Sequence, residues 1–411
     1  MTKRQLPYLP KAQKTREALL RAAESIFSER GYHVASVSEI CQRAGLANGT
    51  FYRYFESKEE VFVLLVERLE AALCEQIEAV GNEGKTGPEA LICAYRRVLA
   101  FVERETTLYR VGRGSESMQM KIHRHFRAKI ADALQRIVRL GIQSGELRPI
   151  DARMAAYVLL GIVEFTVMRY ILWEPGSLNE GVLQTLDSII LRGFDSGSER
   201  ATKMTQSAVP IPSLEEVEEL QGGEATKQSL LMAAEQLFGQ AGFYQTPISG
   251  ITYLSGVAQG TFYLYFPSKV AVFVEVLREI NRRFRSDEQQ ALAGLEDRRD
   301  IEREGFRTFF RFIAMHQGAY RILREAELVD HDTGRWYYER LAKGYMRGMH
   351  RGMERGEIRA LALEPLAYAL LGIGHSVALW AFFSGAEGTI SDDMLADLLD
   401  ILERGMSLQL A

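Results

Sequence analysis

The sequence predicts an all-α protein built from two similar halves that follow one another along the chain. Only 10 of its 411 residues are prolines, and long stretches lack the alternation of apolar and polar residues that is typical of strands. The chain also matches itself without gaps at a shift of 211 positions, where residues 15–62 align with 226–273 and 22 of these 48 positions are identical. Repeats of this length correspond to whole domains and not to the short units of a solenoid.

The shift persists to the far end of each half. Residues 159–162 fall on 370–373, and only near the ends does the alignment slip by one position, so that 192–193 match 404–405. Between the halves, segment 196–223 is rich in Ser, Thr, Pro and Gly and predicts a linker, with a short helix over 213–220. The 30 residue steps from Phe194 to Glu224 would reach roughly 100 Å when extended, so the halves can pack side by side.

Composition leaves the class of partner open. Hydrophobic residues make up 47% of the chain and charged residues 25%, as in ordinary globular proteins with a sizeable core. The formal net charge of −4 neither favours nor excludes nucleic acid, because phosphate contacts depend on local charge. An odd number of cysteines, three, without framework spacing favours a reducing, cytoplasmic location.

The start of the first half predicts three short helices. Apolar residues at helical spacing indicate an amphipathic helix over 15–30 that ends at Gly31. Ser36 and Glu39 have the spacing of a capping box and begin a second helix. Gly45 then provides a tight turn before a third helix over 47–55, in which Phe51 and Phe55 are expected to be core anchors. A fourth helix opens near Ser57.

Two short helices around a glycine turn form a helix-turn-helix, whose second helix enters the major groove of DNA with its N-terminal side chains facing the bases. The residues expected at the bases are Ala47, Asn48, Gly49 and Thr50. Hydroxyls and cations expected at the phosphates are Arg43, Tyr52, Arg53, Tyr54 and Lys58. The second half offers the corresponding set Ala258, Gln259, Gly260, Thr261, Tyr263, Tyr265 and Lys269.

The run from Gly45 to Lys58, GLANGTFYRYFESK, resembles the DNA-binding signature of the TetR family of transcriptional regulators. The run from Gly256 to Lys269, GVAQGTFYLYFPSK, resembles it again. The resemblance implies an all-α fold with two tandem repeats, each a helix-turn-helix domain followed by a helical ligand-binding and dimerisation domain. The expected divisions are 1–62, 63–195, the linker 196–223, 224–273 and 274–411.

The two predicted helix-turn-helix domains, here called heads, differ in charge. Residues 1–62 carry ten Lys or Arg and seven Glu, a net +3, whereas 224–273 carry two Lys and two Glu, a net zero. Arg43 and Arg53 align with Leu254 and Leu264. We therefore expect the second head to bind phosphate more weakly without losing its ability to read bases.

The resemblance implies that the remaining helices of each half dimerise and enclose a small-molecule effector. The last two helices of each half are strongly apolar, and four such helices can form one interface between the halves. An alternative for segment 365–383 is a membrane span, but its counterpart contains Glu164 and Arg169, whose charges are costly in lipid. We therefore expect buried helices and no membrane partner.

Polar residues set in apolar helices are the candidates for effector binding; an internal salt bridge, such as Arg324 with Glu327, is the alternative for any one of them. The candidates are Tyr109, Arg110, Arg113, Glu164, Arg169, Tyr320, Arg321, Arg324, His375 and Trp380. An arginine among them would suit an anionic group. His123 and His125 are two residues apart and would lie on different faces of a helix, which disfavours a metal site.

The sequence thus predicts a cytoplasmic repressor that binds double-stranded operator DNA and is released by a small molecule. No enzyme motif, cofactor or metal is expected. A protein that has kept the fold without DNA binding, and a small-molecule carrier or enzyme, remain as alternatives. The halves are expected to pack as an intramolecular pseudo-dimer, and a homodimer of tandem chains with four heads is the alternative.

Overall fold

The computed structural model describes residues 10–118, 120–194, 222–383 and 390–406. Within these ranges the regular elements are helices, as predicted, and no strand occurs. The predicted linker, with its short helix over 213–220, lies almost entirely outside the described residues.

Seven helices of the first repeat, α2–α6, α8 and α9, begin at positions that recur 211 residues later in the second. The first repeat contains α1 (Pro10–Arg30), α2 (Val37–Arg43), α3 (Asn48–Phe51), α4 (Lys58–Asn82), α5 (Gly87–Arg104), α6 (Thr106–Arg113), α7 (Ser115–Met118), α8 (Met120–Gln143), α9 (Ala152–Thr166, continued by wider π turns over Val167–Trp173) and α10 (Glu180–Phe194). The second repeat contains α11 (Gly223–Ala241), α12 (Ile248–Ser255), α13 (Gln259–Tyr265), α14 (Lys269–Ala291), α15 (Arg298–Met315), α16 (Gln317–Val329), α17 (His331–Glu354), α18 (Leu363–Phe383) and α19 (Asp392–Met406).

Each repeat has a small head and a larger body. The first head comprises α1–α3 and the second head α11–α13. The predicted divisions after residues 62 and 273 fall inside α4 and α14, so each of these helices runs from its head into its body without a break. A movement of one body can therefore reach its head through a continuous helix.

The bodies pack against each other through α9 and α18. The two backbones meet at Gly161 and Gly372, where a Cβ built on Gly161 would lie 2.2 Å from the Gly372 carbonyl oxygen and a Cβ on Gly372 would lie 2.1 Å from the Gly161 oxygen. Only glycine permits so close an approach. Both helices are long and apolar enough to cross a membrane, but 89% and 78% of their apolar windows are buried inside the protein.

The terminal helices α10 and α19 complete the interface with reciprocal contacts. A Cβ on Gly193 would lie 3.0 Å from the Ile401 oxygen, and a Cβ on Gly405 would lie 3.3 Å from the Ile189 oxygen. Gly193 corresponds to Gly405 and Ile189 to Ile401 at the shift of 212. Contacts that map onto each other in this way are the mark of an interface with twofold symmetry.

The heads also touch each other. The rings of His33 and Tyr244 are stacked with centroids 4.1 Å apart and planes 18° apart. These residues occupy the same position of the two repeats, so the stack lies where a twofold axis would pass between the heads.

Candidate nucleic-acid interface and internal cavity

The first head has the predicted helix-turn-helix. Ser36 forms a full capping box with Glu39 at the start of α2, as expected from their spacing. Gly45 adopts a φ of 68° in the turn, a backbone conformation that glycine tolerates best. Phe51 and Phe55 are buried and anchor α3, as predicted.

The third helix is shorter than predicted. The sequence suggests a helix over 47–55, but α3 ends at Phe51 and the chain continues as a turn. Here the Arg53 amide donates to the Thr50 oxygen and the Tyr54 amide to the Phe51 oxygen, which is the tighter hydrogen-bonding pattern common at helix ends. In the second head, α13 runs on to Tyr265.

The predicted base-facing side chains have the same exposure in both heads. Ala47, Asn48 and Gly49 are exposed, as are Ala258, Gln259 and Gly260, while Thr50 and Thr261 are half-buried. Tyr52 and Tyr263 project into solvent, and Tyr54 and Tyr265 are half-buried beside them. The residues that precede and begin the recognition helix thus form one accessible surface in each head.

Lys58 and Lys269, which the sequence predicts as phosphate contacts, also form contacts inside the protein, and these make them weaker candidates for that role. The Lys58 ammonium donates to the Tyr32 and Ala35 oxygens, at 2.7 Å each. Lys269 donates to the Phe243 and Thr246 oxygens, at 2.9 Å each. Burial lowers the pKa of both amino groups. Each ammonium therefore fastens the start of its fourth helix to the loop after its first.

Arg43 is exposed but tied to α1. Its guanidinium forms an ion pair with Glu29 and donates to the Ser25 hydroxyl. The hydrogen bonds from Arg43 and Ser25 lower the pKa of Glu29 to about 2. Because Glu29 offsets the charge of Arg43, Arg53, which is also exposed, is the better candidate of the two for a phosphate contact.

The second head exposes apolar side chains where the first has polar or charged ones. Tyr253 is 89% exposed and Leu264 is 81% exposed; they fall on Gln42 and Arg53. Leu254 and Met232 are exposed as well. The second head therefore presents an apolar surface beside its recognition helix.

A cavity of about 60 Å³ lies between the two bodies. Its lining includes five of the predicted effector-binding residues, namely Tyr109, Arg113, Glu164, Arg324 and His375. These residues come from both repeats, so the structure brings the two predicted sets together in one place. The space suits a few water molecules and is too small for a typical ligand.

Charged groups in this cavity, here called the central cavity, form ion pairs. Arg113 of the first repeat pairs with Glu327 of the second at 2.7 Å, and the Trp173 indole donates to the same carboxylate at 2.9 Å. Burial raises the pKa of Glu327, but the Arg113 guanidinium outweighs burial and, with the other hydrogen bonds, holds this pKa below its usual range. The Arg127 guanidinium pairs with Glu164 and donates to the Ser376 hydroxyl.

The other five predicted residues lie elsewhere and have structural contacts. Arg110 donates to the Leu172 oxygen at 3.2 Å, Arg169 pairs with Glu364 and Glu174, and Arg321 donates to the Gln240 and Ala241 oxygens. Tyr320 bonds through its hydroxyl to His375 Nδ1 at 2.8 Å. Trp380 stacks on Tyr157 with ring centroids 5.3 Å apart. None of these five lines the central cavity.

Comparison with known proteins gives the family. A family model described as bacterial regulatory proteins, tetR family, matches residues 19–65 and 230–276. An uncharacterised HTH-type transcriptional regulator, YdgC, of Bacillus subtilis (strain 168) is 30% identical over 185 residues, which are 43% of this chain and 92% of that protein. The chain belongs to the TetR family. It is a DNA-binding transcriptional regulator and not an enzyme.

Other TetR-family proteins match over a similar span. The fatty acid metabolism regulator protein of Bacillus subtilis (strain 168) is 27% identical, over 41% of this chain and 92% of its own length. Nucleoid occlusion factor SlmA of Vibrio vulnificus (strain YJ016) is 29% identical, over 39% and 86%. A crystal structure of the transcriptional regulator FadR from Bacillus subtilis in complex with stearoyl-CoA is 24% identical over 43% and 95%, with a TM-score of 0.36. Each relative thus has about the length of one repeat.

Sequence reasoning missed several residues of the central cavity of this TetR-family chain. His123, Arg127 and Tyr338 line it, but on the sequence they look like ordinary members of amphipathic helices. His123 Nδ1 lies 3.1 Å from the Ser115 hydroxyl, while its buried Nε2 has no hydrogen-bond partner among the residues that the structure describes. Burial and the nearby guanidinium of Arg127 hold the pKa of His123 well below its usual range.

The described residues contain no group of three or more His, Cys, Asp or Glu suited to a metal. His123 is buried and His125 is exposed, so the two histidines lie on different faces of α8 as predicted.

Proposed function

We propose that this chain is a repressor in which the two repeats act as a covalent pseudo-dimer on one operator. TetR-type regulators need two heads because one head reads half of an operator, and two heads of a helix-turn-helix dimer contact half-sites one helical turn apart. The reciprocal contacts between Gly193 and Ile401 and between Gly405 and Ile189 support this arrangement, because they are the contacts that two identical chains would make. The strongest support for the pseudo-dimer is the backbone contact of Gly161 with Gly372.

The operator is expected to have two unlike half-sites. Asn48 of the first head corresponds to Gln259 of the second; both side chains favour adenine but differ in reach by one methylene group. Arg53 corresponds to Leu264, so the first head carries more positive charge towards the backbone of its half-site. The first head should therefore hold its half-site more tightly.

Footprinting with single-head variants tests this function. Tyr52→Ala should remove protection from one half-site and Tyr263→Ala from the other, because each tyrosine is exposed beside one recognition helix. Equal loss of protection across a symmetric site in both variants would contradict two unlike heads and favour the homodimer of tandem chains. No sequence-dependent protection by the wild-type chain, with DNA from upstream of its own gene, would contradict the DNA-binding function itself.

We further propose that a small apolar or amphipathic molecule releases the operator by entering the central cavity. The cavity lies between the bodies, and its present volume is below that of typical ligand sites. A ligand must therefore push the bodies apart, and α4 and α14 would pass this movement to the heads and change their spacing. Ion pairs such as Arg113–Glu327 hold the closed state that the ligand would disfavour.

A long-chain fatty acid is the first ligand to try, because one relative is a fatty acid metabolism regulator. Stearate is expected to weaken operator binding in an electrophoretic mobility assay. Arg113→Ala, which removes the pair with Glu327, should lower the concentration needed for release. A molecule that binds tightly at this cavity and leaves operator affinity unchanged would contradict the proposed release.

A further inference from the structure

The second repeat contains a polar cavity at a place where the described residues of the first repeat form an apolar core. It lies between α14, α15 and α17 and has a volume of about 590 Å³, which is within the range of small-molecule sites. We call it the α14–α17 pocket. It is separate from the central cavity, because the two share no lining residue.

The duplication supplies an internal comparison for this pocket. Its Glu288, Glu302 and Tyr345 fall on Ile77, Leu91 and Leu134 of the first repeat, which are buried in the apolar core. The first repeat thus fills this space with an ordinary core, whereas the second repeat has ionisable groups in it. Burying such groups costs free energy unless they are paired or hydrogen-bonded, so packing alone does not explain the change.

Smaller residues open the space in the second repeat. Gly305 and Gly344 line the pocket and fall on Ala94 and Ala133, which are buried. A Cβ built on Gly305 would meet nothing within 4 Å. Gly348, on α17, leaves room for the side chain of Arg298, since a Cβ on Gly348 would lie 2.2 Å from the Arg298 guanidinium.

A buried and incompletely bonded ion pair lies at the inner end of the pocket. Arg298 is 9% exposed and Glu302 is 4% exposed, and their side chains are in contact. Oε1 of Glu302 takes part in the ion pair, but Oε2 of Glu302 and Nε of Arg298 have no hydrogen-bond partner among the described residues. Burial lowers the pKa of Arg298. Buried polar groups normally have such partners, and a polar molecule in the pocket would supply them.

The pocket has an excess of positive charge. Four arginines line it, Arg285, Arg298, Arg347 and Arg351, against the two carboxyl groups of Glu288 and Glu302. Burial also raises the pKa of Glu288. Arg347 and Arg351 are exposed and mark the mouth of the pocket, where guanidinium groups can grip an oxyanion with two hydrogen bonds.

We propose that the α14–α17 pocket binds a small polar metabolite that carries an oxyanion, a phosphate or a carboxylate, in the second repeat alone. The arginines at the mouth hold the oxyanion, and Glu302 accepts a hydrogen bond from a hydroxyl or ammonium group at the ligand's other end. Nothing in this assignment requires DNA binding or release.

Calorimetric titration of the full chain with inorganic phosphate or with acetate, without DNA and at constant ionic strength, tests the site. Saturable binding of one anion per chain is expected, and the tighter of the two anions identifies the group that the pocket prefers. Absence of saturable binding for both anions would overturn the proposal, whatever the chain does to DNA.

Two matched variants locate the binding. Arg347→Ala is expected to weaken binding about tenfold, as for one charge-assisted hydrogen bond at an exposed position. Arg136→Ala changes the same residue at the same position of the first repeat, where it pairs with Glu78 at the surface, and should leave binding unchanged. Equal effects of both variants would show general surface charge and overturn the proposal.

Filling the pocket gives an independent check on its position. Gly305→Leu places a side chain in open space and should abolish anion binding while the melting temperature stays the same or rises, since leucine also favours a helix over glycine. Unchanged anion binding in this folded variant would place the anion elsewhere and overturn the proposal.

Discussion

Two lysines at the same position of the two heads show how one residue type can be conserved between repeats for stability. Lys58 and Lys269 each donate to two backbone oxygens and lie 4.3 Å from an aromatic ring centroid, that of Tyr32 or of Phe243. Their recurrence in the signature is explained by these contacts, because each ammonium donates to two carbonyls of the loop after the first helix of its repeat.

Lys58→Met is expected to lower stability and to leave the salt dependence of DNA binding unchanged. Loss of the ammonium removes the donor of the Tyr32 and Ala35 oxygens, which costs roughly 1–3 kcal/mol. Chemical denaturation measures the stability, and operator titration at several salt concentrations measures the slope. Lys14→Met, at an exposed lysine of α1, is the control for loss of a charge. A shallower salt slope for Lys58→Met alone would contradict this expectation and support the phosphate contact that the sequence predicts for Lys58.

Arg53 and Leu264 are expected to account for much of the difference between the heads. Both are exposed at the end of the recognition helix, and exchanging them changes charge without touching the core. Arg53→Leu should reduce the salt slope of operator binding by about one, and Leu264→Arg should increase it by about one. Unchanged slopes in both variants would mean that this position does not face the DNA backbone.

At the scale of elements, the sequence predicts where helices begin better than where they end. Ser36 and Glu39 begin α2 as expected, because the capping box is a local signal. The end of α3 at Phe51 was not predicted, because the same aromatic pattern continues as an α-helix in the second head. Local hydrogen bonding decides between the two, and that depends on the surrounding fold.

The crossing of α9 and α18 is expected to depend on its glycines. Gly372→Ala would place a methyl group 2.1 Å from the Gly161 oxygen, and the helices would have to separate, at a cost of about 1–3 kcal/mol. Denaturation of the full chain measures this loss. Gly81→Ala is the control, because a Cβ on Gly81 of α4 would meet nothing within 4 Å. Equal stabilities of the two variants would contradict the close packing of the repeats.

At the scale of the whole molecule, the fold class, the duplication and the two heads were predictable because they rest on repeated local patterns. Of the ten effector candidates, five line the central cavity. Arg113 and Glu327 lie 214 positions apart in the chain and meet across the repeats, and sequence spacing carries no signal for such a contact. The α14–α17 pocket was not predicted, because it becomes apparent only when residues at equivalent positions of the two repeats are compared in the folded structure.

The central claim, that one chain supplies both heads for one operator, is tested most directly by the mass of the protein–DNA complex. Light scattering coupled to size-exclusion chromatography, with a DNA duplex that carries the footprinted site, gives the number of chains bound. The pseudo-dimer predicts one chain of 46.4 kDa per duplex. Two chains bound to a single operator at saturation, with no one-chain complex at lower protein concentrations, would contradict it.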